Sequence, residues 1–348
     1  MYIHQSACIS AQHSFGSADL NKLVPSNQNK MLAIEPSYPQ IPPAMLRRMG
    51  KAVRMGTGAA LTLLPEGGWD GIVIGTANGG MEDCIKFLNQ IVEYKEGLLT
   101  PGNFVQSTAN AIASQIGLQT ANRKYNVTHV HRGLAFENAL LDTDMFISEN
   151  PSKTYLVGSV DEISSFNYNI DFLDGWFRKS PASNAQLYIG SEEGTLAGEG
   201  ASMFNVSGLR QNALASIQRI GTIHGEDPEL GKKLFESVIS ELSVSADETI
   251  DLMLSGENGD SRLSRYYEAC ESLLPDSVTI ARFKHMFGEI PTATGIAVWL
   301  ATQIISSGEI PVHMIKKQTS KKPIRNILIY NNHKGVQHSC ILVSAVSG

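Results

Sequence analysis

Cysteine is scarce in this chain: Cys8, Cys84, Cys270 and Cys340 are the only four in 348 residues. They show no metal-type spacing, and their dispersion fits reduced thiols better than a disulfide framework. None lies between Cys84 and Cys270, so chemistry placed in that stretch has to proceed without a thiol. No uninterrupted apolar stretch approaches membrane-spanning length, which excludes an ordinary span. The start Met1-Tyr2-Ile3-His4 lacks the basic region and long apolar run of a signal peptide, so a cytoplasmic location is expected. Positive charge is in deficit too. A net charge of −6 argues against a nucleic-acid-binding surface. With 42% apolar and only 18% charged residues, the chain has material for a large core.

What is present centres on one turn. Tyr125 to Val130 alternates and is β-favouring; Gly133 opens Leu134-Ala135-Phe136-Glu137-Asn138-Ala139-Leu140-Leu141, apolar at helical spacing. A strand, a sharp turn and a helix are therefore expected around Thr128-His129-Val130-His131-Arg132-Gly133. A thiol on such a turn would have its pKa lowered by the helix N-terminus. No thiol is there.

The rest of the chain reads as layered α/β. Tyr2 to Ser10 is an expected strand, Ser14 to Pro43 is extended or loop, and Met45 to Leu64 is an expected helix with an apolar stripe. Strands and helices alternate to about Ser207. A second alternation follows: helices Asn212–Arg219 and Asp227–Leu242, strand Thr249–Leu254, helices Ser261–Leu274 and Ile290–Ser307, strands Ile327–Tyr330 and Cys340–Val346.

Five ordered pieces flank the turn or lie within it: Gly75-Thr76-Ala77-Asn78-Gly79-Gly80-Met81, Pro101-Gly102-Asn103-Phe104 with Ser107-Thr108-Ala109-Asn110, the Thr128–Gly133 turn, Tyr155-Leu156-Val157-Gly158-Ser159-Val160-Asp161-Glu162, and Gly198-Glu199-Gly200-Ala201. In this order the chain resembles the β-ketoacyl-acyl carrier protein synthases of the thiolase fold. It is most similar to the ketosynthase-like proteins of aryl-polyene and flexirubin pigment pathways. The resemblance implies an α/β fold of two stacked αβα halves forming a five-layered αβαβα core, divided as residues 1–208 and 209–348. It also implies a dimer paired edge to edge through the strand Lys153 to Val160.

Against the family's motifs, three positions are degenerate. Val130 stands at the nucleophile of the Thr-Ala-Cys-x-x-Gly turn. Lys284 and Gly288 match the Lys-x-x-x-Gly-His segment, but Glu289 takes the histidine's place. The strand Thr249–Leu254 runs into Ser255-Gly256-Glu257-Asn258-Gly259-Asp260 without the second histidine, leaving Gly256 at the degenerate position. Asn331-Asn332-His333-Lys334-Gly335 replaces a Gly-Phe-Gly-Gly loop. Valine cannot form a thioester, and a carboxylate would repel an enolate. The resemblance therefore implies a non-catalytic subunit of the chain-length-factor type, paired with an active ketosynthase. It would need no cofactor of its own, because the acyl carrier protein delivers acyl-phosphopantetheine. Phe104, Thr108, His129, His131, Arg132, Lys284 and Lys334 are the candidate pocket residues.

Other readings stay open: a remodelled acyl-transfer or hydrolytic enzyme using His129, His131 or Glu289, or a stand-alone acyl-binding homodimer. His129 and His131 would share a strand face, but no further metal ligand is near, so no metal is expected. His131-Arg132 at a helix entrance suits an anion. Glu137 reads as an acid in the first helical turn. Asp161 and Glu162 point to opposite faces and read as structural. Two basic clusters, Arg47-Arg48-Lys51-Arg54 and Lys316-Lys317-Lys321-Lys322-Arg325, are solvated faces or docking sites for acyl carrier protein.

Overall fold

The computed structural model describes residues 1–16, 18–242, 249–319 and 323–346. Eleven strands form one continuous sheet: β1 Tyr2–Ile9, β2 Gly71–Gly75, β3 Tyr125–His129, β4 Tyr155–Asp161, β5 Gly200–Ser207, β6 Ala215–His224, β7 Leu252–Ser255, β8 Thr279–Arg282, β9 Ile315–Lys317, β10 Asn326–His333 and β11 Gln337–Ser344. The spatial order is β9-β8-β7-β10-β11-β6-β1-β5-β4-β2-β3.

That order contains a repeat. Numbering the strands of the first half one to five (β1 to β5) gives the order three-two-four-five-one. The second half (β6, β7, β8, β10, β11) gives the same order, with β9 added at its edge. The strand senses agree as well. In each half the first two pairings from the outside are parallel and the next two antiparallel. Among the described residues, strand pairing between the two half-sheets is confined to Tyr2 and Ile3 against Ser216 and Ala215.

Both sheets are covered on both faces, and alternate residues enter different cores. On β2, Ile72 and Ile74 face one cluster and Val73 another; on β10, Ile327 and Ile329 face one and Leu328 and Tyr330 another. The shared central layer holds α5 (Ala135–Glu149) and α9 (Ala293–Ser307). Helix α9, Ala-Thr-Gly-Ile-Ala-Val-Trp-Leu at its start, is apolar nearly all round, as a helix between two sheets must be. Helices α1 (Lys51–Leu61) and α4 (Ala111–Gln119) cover the outer face of the first half. Helices α7 (Pro228–Leu242) and α8 (Ser264–Glu271) cover the second. The order is α, β, α, β, α: the expected two stacked αβα halves in five layers. Three further helices, α2 (Met81–Glu93), α3 (Pro101–Gln106) and α6 (Ser165–Leu173), are peripheral.

Several local expectations are corrected. Residues 215–224 form β6, not a helix, because this segment pairs with β11 and β1 and closes the second sheet. The helix expected over Met45–Leu64 breaks at Gly50: Pro43–Leu46 is a separate turn, and Gly50, with φ −59 and ψ 161, precedes α1. Strand β4 is no edge. It pairs with β2 on one side and β5 on the other, and all seven of its residues are buried. The unpaired edge of this half belongs to β3. Lys321 and Lys322 of the second basic cluster lie outside the described residues.

Candidate functional site

Four chain segments meet where β7, β8 and β10 end against the N-termini of α5 and α9. The turn Lys284–Phe287 after β8 ends at Gly288, whose φ of +77 only glycine adopts freely. A Cβ there would lie 2.7 Å from the Ala197 carbonyl. This tight passage fixes Glu289: its N–H donates to the Leu196 carbonyl, and its own carbonyl accepts from Gly198 N–H at 2.9 Å.

The Glu289 carboxylate is held from three sides. The Lys284 ammonium, wholly buried, donates to Oε1 at 2.8 Å and to Oε2 at 2.7 Å. Asn258 Nδ2 donates to Oε2 at 2.7 Å. His333 Nδ1 lies 4.0 Å from Oε1, too far for a hydrogen bond, and has no other partner. Burial opposes the charge on Glu289, but Lys284 and His333 outweigh it and hold its carboxyl at about 2. Burial lowers the Lys284 pKa, and Glu289 pulls it back up. The result is a neutralised pair with its proton donors aimed inward. A carboxylate so committed neither accepts a proton readily near neutral pH nor stabilises a developing enolate.

Beside this pair lies a cavity of about 30 Å³, lined by Asn258, Leu263, Glu289, Pro291, His333 and Lys334 together with Asp171, Trp176, Phe177 and Thr195. It has room for a water or two, not for an acyl thioester. Lys334, with φ +56, pairs with Asp171 of α6, and its ammonium lies 5.3 Å from the Trp176 ring centroid. A cavity of about 580 Å³ elsewhere, lined by residues such as Asp251, Thr279, Glu309 and Ile315, includes none of the candidate residues.

The turn after β3 faces the same region through its backbone. Arg132 takes φ +47, and Gly133 packs so tightly that an added Cβ would sit 2.3 Å from His333 Cβ. Gln337 of β11 closes it: Gly133 N–H donates to Oε1 at 2.9 Å, while Nε2 donates to the His131 carbonyl at 3.3 Å. That amide takes up the Gly133 N–H, one of the donors an anion at His131-Arg132 would use. The side chains turn outward. Val130 is 55% exposed. His129 Nε2 pairs with Asp142 at 3.0 Å, whereas His131 Nδ1 accepts from Asn138 at 2.9 Å. Strand β3 ends at His129, so the two histidines share no strand face and converge on nothing.

Of the pocket candidates, the structure gathers Lys284 and Lys334 around Glu289. Phe104 is 60% exposed on α3, Thr108 follows that helix, and Thr128 bonds Asn110 at 2.8 Å. Gly256 is not the residue that reaches the site; Asn258, two positions on, does. Glu257 turns away to Arg282 and Lys316. Sequence reasoning missed Asn258, His333 and Gln337 as site residues. The run Ser255–Asp260 and the Asn331–Gly335 loop were the available signals; Gln337 had none.

Glu137 stands in the first turn of α5, as the sequence suggested. It is wholly buried in the central layer, with no partner of good hydrogen-bond geometry on either oxygen. Burial pushes its carboxyl up to about 7, against the nearby Ser339 and Thr294 hydroxyls. Asp161, by contrast, accepts from Thr76, Ala77, Asn78 and Thr292, a structural role. Among the basic residues, Lys51 and Arg54 pair with Glu199 and Glu35, and Lys316 and Lys317 with Glu257, Glu271 and Asp276. Cys8 and Cys270 have thiols pushed by burial to about 12, so neither is a ready nucleophile.

Residues 22–174 match the sequence model of the β-ketoacyl synthase N-terminal domain. No curated protein matches the chain at the sequence level. Among solved structures, a β-ketoacyl synthase from Burkholderia phymatum STM815 superposes with a TM-score of 0.76 over 99% of each chain, at 13% identity. The ishigamide ketosynthase/chain length factor gives 0.77 at 13% identity, again over 99% of each chain. A type II polyketide synthase acyl-carrier protein in complex with its ketosynthase bound to the hexaketide gives 0.76 at 12% identity, over 99% of each. The chain thus carries the thiolase-like fold of the ketosynthases, with a segment matching their N-terminal domain from residue 22 to 174.

Proposed function

We propose that this protein is a catalytically degenerate β-ketoacyl synthase-like subunit, of the chain-length-factor type. It pairs with an active ketosynthase and acts on chains carried by an acyl carrier protein, in polyene or fatty-acid-type biosynthesis in the cytoplasm. The aryl-polyene and flexirubin pathways are the closest settings, and the halves 1–208 and 209–348 are its two units. The observation that carries the reading is the Lys284–Glu289 pair. It fills the place the family motif gives to a catalytic histidine and leaves a cavity of about 30 Å³ beside it. Val130 in place of the cysteine and Asn258 on the second histidine's loop point the same way.

The pairing surface on this reading is the outer edge of β3, a row of backbone groups that a partner strand would satisfy. Around it Leu118, Val130 and Met145 are exposed by 55 to 75%, the kind of apolar surface an obligate interface covers.

The test has two arms. Incubated alone with malonyl- and acyl-loaded carrier protein, the purified chain neither becomes acylated nor condenses, as read by intact mass and product analysis. Co-expressed with the ketosynthase of its own pathway, it forms a one-to-one heterodimer, and substitutions near Phe104 and Thr108 change product length. An acyl adduct on the Thr128–Gly133 turn, or a homodimer that ignores the ketosynthase and leaves its products unaltered, overturns the reading.

A further inference from the structure

Helix α9 starts beside the Glu289 site and ends at a different cavity. Its 15 residues, at about 1.5 Å rise each, make it roughly 22 Å long. At its C-terminus Gly308 takes φ +71 and donates its N–H to the Ile304 carbonyl at 2.8 Å. Gly308 also lines the cavity of about 580 Å³, a volume within the usual range for small-molecule sites. This cavity shares no lining residue with the small one beside Glu289.

One wall of the larger cavity is aliphatic: Ile250, Ile310, Val312, Ile315 and Ile324. The other wall chiefly offers hydrogen-bond acceptors. Asp251 spends Oδ2 on the Arg325 and Asn326 N–H groups, at 2.8 and 2.9 Å, and its Oδ1 has no partner among the described residues. Glu309, next to the end of α9, has no side-chain partner among the described residues. Thr319 donates its hydroxyl hydrogen to the Ser277 carbonyl at 3.0 Å, so Thr279, 3.0 Å away, donates to Thr319. Those two hydroxyls have spent their hydrogens and keep lone pairs. Asn21, Gln318, Thr249 and Ser277 complete the polar wall and can donate or accept.

The electrostatics have one sign. Two carboxylates and the C-terminal end of α9, where a helix carries partial negative charge, face the same space. No lysine, arginine or histidine is among the lining residues. The nearby lysines of β9 are engaged elsewhere: Lys316 with Glu257 and Glu271, and Lys317 with Asp276. A phosphate or carboxylate ligand would meet like charge here. A cation with hydrogens to donate meets acceptors, and its carbon chain meets isoleucine.

We propose that this cavity is a binding site for a small aliphatic amine in its ammonium form. The ammonium sits between Asp251, Glu309 and the end of α9, and the alkyl chain lies against Ile250, Ile310 and Ile315. The assignment does not rest on the ketosynthase-like reading, because the cavity is separate from the Glu289 site.

Titration calorimetry of the full chain with hexylamine, hexanol and hexanoate, at pH 7 and constant ionic strength, tests it. Hexylamine should bind once per chain and about tenfold more tightly than hexanol, with hexanoate weaker than both. Glu309→Gln should weaken hexylamine about fivefold, as loss of a solvent-exposed charge partner does, and leave hexanol unchanged. Ile310→Trp, which fills the cavity, should abolish binding of both. Should Ile310→Trp fail to fold, Glu309→Gln decides alone. No binding of hexylamine, equal binding of hexylamine and hexanoate, or an unchanged hexylamine affinity in Glu309→Gln overturns the proposal.

Discussion

The Lys284 ammonium and the Glu289 carboxylate, five positions apart in the chain, are locked two-pronged at 2.7 and 2.8 Å. Lys284 is wholly buried and Glu289 only 11% exposed, so neither charge can turn to bulk water for compensation. Each is the other's main counter-charge. This relationship ties the chemistry of the site to the stability of the fold.

Removing one partner should therefore cost far more than removing both. Lys284→Met leaves Glu289 buried without its cation, an effect of about 3–5 kcal/mol for buried pairs. The double variant Lys284→Met/Glu289→Leu should recover most of that loss. Urea unfolding of the two singles and the double, read as a cycle, measures the coupling. Additive single effects would show that the pair carries no structural weight.

The turn at Val130 makes a second expectation. Val130→Cys places a thiol on an exposed position near a helix start, so it should react with alkylating reagents near neutral pH. Gln337 already bonds Gly133 N–H, so freeing that group with Gln337→Ala should speed the reaction. Neither variant should condense, because Glu289 and Asn258 supply no imidazole. Ketosynthase turnover by the Val130→Cys protein would contradict the assignment of the degenerate positions.

Glu137 should leave a signature in the pH dependence of stability. Its carboxyl is raised by burial to about 7 in the folded chain, above an unfolded value of 4.5. The folded state therefore holds this proton more tightly, and the associated stability is complete below pH 4.5 and is lost as pH rises through about 7. The size is on the order of 3 kcal/mol. Denaturant midpoints at pH 5 and pH 8 should converge in part for Glu137→Gln. An unchanged pH slope in that variant would show that Glu137 does not titrate in this window.

Much of the architecture was legible because it rests on local pattern. The short continuous apolar runs in β2, β4 and β10, the apolar α9 and the strand–turn–helix at Thr128–Gly133 follow from local apolar pattern and glycine placement. The absence of a cysteine from that turn needed no structure at all. The segment 215–224 failed for the opposite reason. Its apolar spacing suits either a helix or a strand, and only pairing with β11 decides between them.

Tertiary structure decided what distance along the chain conceals. Asn258 and Glu289 are 31 residues apart and share a hydrogen bond; Gly133 and Gln337 are 204 apart and share another. No local propensity encodes either contact, since each depends on two sheets closing over one central layer. The same closure buries Glu137, which by sequence is an ordinary acid in the first turn of a helix and in the folded chain is a carboxyl raised to about 7. It also places β4 in the interior and β3 at the edge, because strand order is a property of the sheet and not of any one strand. The sequence alone determined which chemical groups the site lacks. Folding determined which groups stand there instead, because burial and neighbouring charge act through space.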